Sequence, residues 1–391
     1  MKKYEQAYAS IERPFAWIDL NHLDANIDFV NKACGKKSIR IATKSVRSLP
    51  LLQYIARKLH HFAGYMTFTA AETVYLLEQG LDKLLLGYPV FEQQSISRIA
   101  KHVKAGANVT FMVDHLEQVR LLQSVAKSEQ VTLQICIDLN MSTNYKFLYF
   151  GTKRSPLHNL DTLHRFLTAV KDYPQITVVG VMGYDAQIAG VADTIPTAFG
   201  MKGALIRRLK ANSLPKLTKF RQHAVAHIRH FYPLQFVNAG GSGSMTLLQD
   251  MKDITEITVG SAFFAPALFD HYTTLKLQPA AGFGLRVTRK FNDSTVVCHG
   301  GGYIASGATG SDRSPAFLEP AHYSFTSLEG AGEVQSPIVV KNRAHVIGDT
   351  IYFRHAKAGE LCERFHVLHA SRNNQYVGPY KTYRGDGQCF L

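Results

Sequence analysis

The sequence predicts an α/β fold, a (β/α)8 TIM-type barrel followed by a C-terminal all-β domain, and three observations carry that prediction. Between Asp19 and Ala265 the apolar residues switch between helical and strand spacing until eight strand-like runs have passed, each with a helix before it. Alternation of this kind argues for a parallel sheet, and eight units close into a barrel. No G-x-G-x-x-G follows the first strand run, which disfavours a doubly wound open sheet. Beyond Ala265 the chain turns to short β-rich runs split by Gly, Asp, Asn and Pro.

The elements follow in order. Asn21 is the expected cap of a helix whose apolar positions Leu23, Ile27 and Val30 keep helical spacing, and Gly35 ends it. A strand over 38–43 comes next. Ser48 is the expected cap of a second helix with Pro50 in its first turn, and Leu52, Ile55 and Leu59 form its inner face before a strand over 65–69. The same reading gives helices over 72–79, 93–104, 116–126 and 160–170, alternating with strands over 83–87, 108–114, 132–138 and 176–182. A long helical region over 198–231 leads to a strand over 234–238, and a short helix near Leu247 to a strand over 256–260. The β-rich runs cover 285–289, 295–298, 336–340, 350–353 and 365–368, and Phe15–Asp19 is expected to add a strand to them. The expected units are a barrel over 20–265 and a β domain made of 1–19 plus 266–391.

Composition narrows the function. Hydrophobic residues make up 46% and charged residues 19%, with no apolar run long enough to span a bilayer, so a globular protein away from the membrane is expected. The formal charge of +14 invites nucleic acid as a partner. Its densest stretch, Arg207 and Arg208 through Lys210, Lys216, Lys219 and Arg221, lies in one helical region and reads as a solvated face. No zinc-finger spacing, helix-turn-helix or aromatic RNA-binding strand accompanies it, so a small anionic molecule is the expected partner instead. Five widely spaced cysteines suit a reducing compartment, and no apolar core follows the basic start Met1-Lys2-Lys3; a cytoplasmic location is expected.

Chemistry in such a barrel sits at the carboxyl ends of the strands. That rule selects Lys44, Asp138, Asn140, Tyr184, Asp185, Gln187, Asn238, Gly240, Gly260 and Ser261. The run Asn238-Ala-Gly-Gly-Ser-Gly-Ser244 directly follows a strand. Its glycines let successive N–H groups converge on one point, with hydroxyls from Ser242, Ser244 and Ser261 to complete a phosphate cup. A lysine after strand one facing a phosphate cup after strands seven and eight points to pyridoxal 5'-phosphate, whose aldehyde needs an amine and whose phosphate fixes the ring.

These residues resemble the fold-type III pyridoxal-phosphate enzymes, specifically the D-threonine aldolase and D-serine dehydratase branch related to alanine racemases. Arg40-Ile-Ala-Thr-Lys-Ser45 is similar to that family's R-P-H-x-K-T motif, with Ala42 where histidine is frequent. The resemblance implies that Lys44 forms the internal aldimine and later serves as general base or acid. It implies that Arg40 belongs to the cofactor site and that Gly240, Gly241, Ser242, Gly243, Ser244, Gly260 and Ser261 surround the phosphate. The family often sets an arginine or tyrosine from the middle strands against the pyridine nitrogen. No arginine follows directly after strand five, so Tyr184 is the expected ring contact.

The branch also carries a C-terminal H-x-D or H-x-C pair for a divalent ion. Here His355 is followed two residues later by Lys357, which leaves His355 with Cys362 or Glu360 as the expected donors for Zn or Mn. The implied activity is lyase chemistry on β-hydroxy D-amino acids, by retro-aldol cleavage or by dehydration and deamination. An amino-acid racemase is the alternative; it needs a second base, commonly a tyrosine from the β domain of a partner subunit in alanine racemases, for which Tyr303, Tyr323 and Tyr352 are available with none picked out by spacing. A non-catalytic cofactor carrier is a third reading. A homodimer is implied as well.

Overall fold

The computed structural model describes residues 2–192, 200–308 and 310–391. Strand β1 (Phe15–Asp19) precedes the barrel. The barrel then runs through β2 (Ser38–Ala42), β3 (Phe62–Thr67), β4 (Leu84–Leu86), β5 (Val109–Val113) and β6 (Leu133–Asp138). After a hairpin of β7 (Thr143–Tyr145) and β8 (Leu148–Phe150), it continues through β9 (Ile176–Gly183), β10 (Phe236–Ala239) and β11 (Glu256–Val259). All neighbours are parallel, and β11 pairs back onto β2 with Val259 beside Ile41, which closes the sheet. The eight units and the closed barrel are those expected. Residues 198 and 199 of the expected long helix lie outside the described residues, and the helix is described over Gly200–Arg229.

Alternation along the strands divides two cores. Ile39, Ile41, Tyr65, Leu84, Leu86, Phe111 and Ile135 face the helices. Met66, Leu85, Met112, Cys136 and Met182 fill the lumen, with Tyr184 and Phe236 against them. Four polar residues share that lumen. Arg40 Nε and Nη2 donate to the two oxygens of Glu256 at 2.7 and 2.9 Å, and Asn238 Nδ2 donates to Glu256 and to Thr258 at 2.7 and 2.8 Å. A bidentate pair with its remaining donors satisfied is tolerated where a lone charge is not.

Two expected caps differ. Asp19 caps the first barrel helix, Leu20–Cys34, accepting from the N–H groups of Asn21 and His22, so the helix starts earlier than Asn21 would set it. Ser48 precedes the helix Leu49–Lys58 without capping it, because its Oγ donates to the Lys381 carbonyl at 2.6 Å.

The second sheet contains β12 (Ala281–Asn292), β13 (Thr295–His299), β14 (Ala316–Phe317), β15 (Tyr323–Phe325), β16 (Gln335–Val340), β17 (Thr350–Arg354), β18 (Val367–Arg372) and β19 (Gln375–Lys381). Its path is β15-β16-β13-β12-β1-β18-β19, with β17 on β12 and β14. Strand β1 joins this sheet, as expected, and lies antiparallel to β12 and parallel to β18. Beyond β17 the chain returns over the carboxyl ends of the barrel strands. There Glu363 pairs with Arg47 at 2.7 Å, and the Tyr383 N–H donates to the Arg47 carbonyl at 2.9 Å. Among the described residues, no helix is long and apolar enough to cross a membrane.

Candidate active site

A cavity of about 1300 Å³ opens between the barrel's carboxyl-end rim and the β domain. Lys44 lines it from a 3-10 turn, Thr43–Ser45, that follows β2. The turn is held from both sides. Thr43 Oγ1 donates to the Met66 carbonyl at 2.9 Å, and Arg47 Nε donates to the Lys44 carbonyl at 2.9 Å. Lys44 Nζ donates to the Tyr88 hydroxyl at 2.6 Å and lies 5.3 Å from that ring's centroid. Beside the turn, Glu72 is fully buried and accepts from Tyr383 Oη at 2.8 Å and from the Phe68 N–H at 2.8 Å. Burial pushes its carboxyl up to about 7, against the pull of hydrogen bonds from Phe68, Thr43 and Tyr383.

The glycine loop after β10 faces the same cavity. Gly240, Gly241, Ser242, Gly260, Ser261 and Ser45 line it. A Cβ on Gly241 would stand 3.4 Å from the Tyr184 ring, and one on Gly260 would stand 2.8 Å from the Ser45 side chain, so side chains here would fill the cradle. Gly240 takes a φ of +82°, a conformation that glycine adopts without strain. The hydroxyls of Ser45 and Ser261 share a hydrogen bond at 3.3 Å, and Ser242 Oγ accepts from the Ala262 N–H at 3.0 Å. A concave surface of backbone and hydroxyl groups fits a phosphate.

Some expected site residues stand elsewhere. Gly243 and Ser244 do not line the cavity. Gly243 backs onto the Ala189 carbonyl, which a Cβ would meet at 2.2 Å, and Ser244 Oγ braces the loop from inside through Gly241 and Asp185, both at 3.3 Å. Arg40 is also away from it: its guanidinium is spent on Glu256 and on the carbonyls of Tyr65 and Lys83 at 3.2 and 2.9 Å. Asn238 belongs to that same lumen network. Asp185 and Gln187 turn into the protein, Gln187 Nε2 donating to the Met141 carbonyl at 2.6 Å.

Tyr184 does line the cavity, and burial, then Asp185, pushes its phenol up to about 12, which keeps it protonated at neutral pH. Asp138 and Asn140 line it too. Burial and the neighbouring Asp114 push the Asp138 carboxyl up to about 7, with Arg154 opposing.

Tyr88, Arg154 and Arg364 are among the cavity residues that the sequence reading did not select. Tyr88 follows β4 by two residues, and the strand-end rule applied there would have found it. Arg154 stands 16 positions after Asp138 along the chain, beyond the β7–β8 hairpin, yet it lines the cavity. The hairpin returns it: Asn140 Nδ2 donates to the Ser155 carbonyl at 2.7 Å, and Ser155 Oγ to the Asp138 carbonyl at 2.7 Å. Arg364, from the β domain, lies over the Tyr303 ring at 5.9 Å.

The expected metal donors do not fit a divalent ion. His355 lines the cavity as a neutral imidazole, its pKa pushed down to about 3 by burial and Arg354, with neither ring nitrogen hydrogen-bonded, but the residue two positions on is the cation Lys357. Cys362 is buried off the cavity wall, so its thiol does not face an ion held in the cavity with His355. Among the described residues, no group of three His, Cys, Asp or Glu side chains stands close enough to hold an ion. The Lys357 ammonium occupies the cavity wall between them in sequence.

The family described as alanine racemase, N-terminal domain, matches residues 18–266. No curated protein matches the chain in sequence. Among solved structures, a D-threonine aldolase from Filomicrobium marinum superposes with a TM-score of 0.81 at 16% identity, covering 98% of this chain and 97% of that one. D-threo-3-hydroxyaspartate dehydratase from Delftia sp. HT23 gives 0.73 at 14% identity, with 96% and 98% covered. An alanine racemase of Clostridium difficile 630 gives 0.66 at 13% identity, with 95% and 99% covered. At these identities the likeness is one of fold.

Proposed function

The chain belongs to the alanine racemase N-terminal domain family, and from that premise we propose that it is a pyridoxal 5'-phosphate-dependent lyase acting on β-hydroxy D-amino acids. When bound, the cofactor supplies an aldehyde that condenses with amines and a ring that stabilises negative charge at the substrate Cα. Lys44 is the amine that carries it, and the observation behind this reading is that Lys44 shares a cavity with the cradle of Gly241, Ser242, Ser261 and Ser45. Those residues would hold the phosphate, and Tyr184 would flank the ring as a neutral phenol.

The other residues have separate tasks. Tyr88 receives a hydrogen bond from Lys44 Nζ, which orients the amine and gives it a neighbour for exchanging protons. Arg154 offers a guanidinium to the substrate's α-carboxylate, the group every amino acid brings and a planar fork binds well. The β domain forms one wall of the cavity.

Racemase activity is the second reading, favoured by Tyr303, which lines the cavity from the β domain while Tyr323 and Tyr352 are buried outside it. Burial pushes the Tyr303 phenol up, which makes it a poor base at neutral pH and ranks this reading below the lyase. The printed names of the solved relatives, an aldolase and a dehydratase with higher TM-scores than the racemase, agree with that order.

The holoprotein is expected to absorb in the visible and to fix the cofactor on Lys44 under borohydride, with the band lost in Lys44→Ala. It should release aldehyde or ammonia from D-threonine, D-serine or D-3-hydroxyaspartate. A Lys44→Ala protein that keeps the band and fixes as much cofactor sinks the assignment. Cα deuterium exchange with inversion, and neither product, would favour the racemase.

A further inference from the structure

The β-domain wall of the cavity is the loop after β17, where His355, Lys357 and Glu360 face inward. This loop is fixed to the turn that carries Lys44. Gly359, at a φ of +87°, sits so close that a Cβ would stand 1.9 Å from the Lys44 carbonyl oxygen, and Glu363 pairs at 2.7 Å with Arg47, which in turn holds that carbonyl. The loop that carries Lys357 is therefore packed and ion-paired against the turn that carries Lys44.

Lys357 Nζ donates to Ser306 Oγ at 2.7 Å. The Glu360 carboxylate lies 3.7 Å from it, beyond hydrogen-bonding distance, and is itself engaged by the N–H of Ser306 at 3.0 Å and by the Ser306 hydroxyl. An ammonium has three N–H donors, so among the described residues two remain for a ligand. With 45% of its side chain exposed, Lys357 can reach one. Arg313 and Arg364 line the same side of the cavity, which leaves that wall with more cations than carboxylates. A divalent ion placed there would meet the Lys357 ammonium.

We infer that the ammonium of Lys357, in place of a divalent ion, donates to the hydroxyl oxygen carried on the substrate's β-carbon. The inference deepens the lyase reading and rests on it for the class of substrate. Lys357 is thus the residue that distinguishes β-oxygenated amino acids from plain ones.

The test uses the full chain loaded with pyridoxal 5'-phosphate and dialysed against a chelator. Titration of the visible band with D-serine and with D-alanine, which lacks the β-oxygen, gives two dissociation constants whose ratio does not depend on turnover. Wild type is expected to prefer D-serine. Lys357→Met removes the charge at similar length and should shrink that preference about 10- to 100-fold, the range for a lost charged hydrogen bond. Lys357→Arg should keep most of it.

Equal affinities in wild type, or an unchanged preference in Lys357→Met, overturn the inference. So does a chelated protein that turns over β-hydroxy D-amino acids only after Mn2+ or Zn2+ is returned. A chain that shows the preference but forms neither aldehyde nor ammonia supports the recognition role and removes the lyase reading instead. A chain that takes up no cofactor removes both.

Discussion

Glu72 shows how single residues behind the site set its working range. It is buried within the shell that supports the Lys44 turn, linked through Tyr383 and Thr43. Its carboxyl is pushed from 4.5 up to about 7, so in that interval the folded protein holds a proton that the unfolded chain has released. The stability this group contributes is complete below that window and is lost as pH rises through about 7. The ceiling on the loss is about 3 kcal/mol. Asp138 has the same sign, so the informative quantity is a difference between proteins. Glu72→Gln should lose less stability than wild type between pH 5 and pH 8, measured by denaturant midpoints; parallel curves would show that Glu72 does not titrate there.

At the scale of elements, the hairpin β7–β8 decides where Arg154 goes. It is clamped at its base, where Ser142 Oγ donates to the Thr152 carbonyl at 3.0 Å and accepts from the Thr152 N–H at 2.9 Å. Gly151 passes that clamp at a φ of +145°, and a Cβ there would stand 2.2 Å from Ser142 Oγ and 2.7 Å from Ser142 Cα. Gly151→Ala should therefore prise the base apart and displace Arg154. KM for the amino acid is expected to rise about 10-fold, the order lost when a charged hydrogen bond is misaligned, with the cofactor's visible band intact. An unchanged KM would detach Arg154 from substrate binding.

The same hairpin marks what the sequence could reveal. The barrel strands were legible because a strand with one face on helices and one in a packed lumen alternates in a repeating way, as Tyr65 and Met66 do. Lys44 and the Gly240 loop followed from strand ends. Arg154 did not, because contacts through Ser155 and Asn140, rather than chain distance, return it to the end of β6. Arg40 was misplaced for the converse reason. Its spacing from Lys44 fits the family motif, but on a strand that residue points into the lumen, and Glu256 is there to pair with it. Strand β19 escaped because an exposed edge, Gln375 to Lys381, lacks the buried alternation that marks a half-buried strand.

For the whole molecule, the consequence is that neither unit owns the site. The barrel supplies Lys44, Tyr88, Arg154 and the glycine cradle, while the β domain supplies Lys357, Arg364 and Tyr303. One apolar core runs through both units, and specific polar contacts add to it at the site: Arg47 and Arg384 both pair with Glu363 at 2.7 Å, Ser48 bonds to Lys381, and Tyr383 reaches Glu72. Gly359 is the closest approach, with a positive φ that leaves no room for a side chain against the Lys44 carbonyl. Gly359→Ala must either strain its backbone or lift the loop from the Lys44 turn, a cost of about 1–3 kcal/mol. If the two units act as one site, this methyl group placed outside the cradle should lower the thermal midpoint, slow borohydride trapping at Lys44 and weaken the preference for D-serine together. A loss of stability alone, with trapping and preference at wild-type levels, would mean that the β domain covers the barrel without shaping its chemistry.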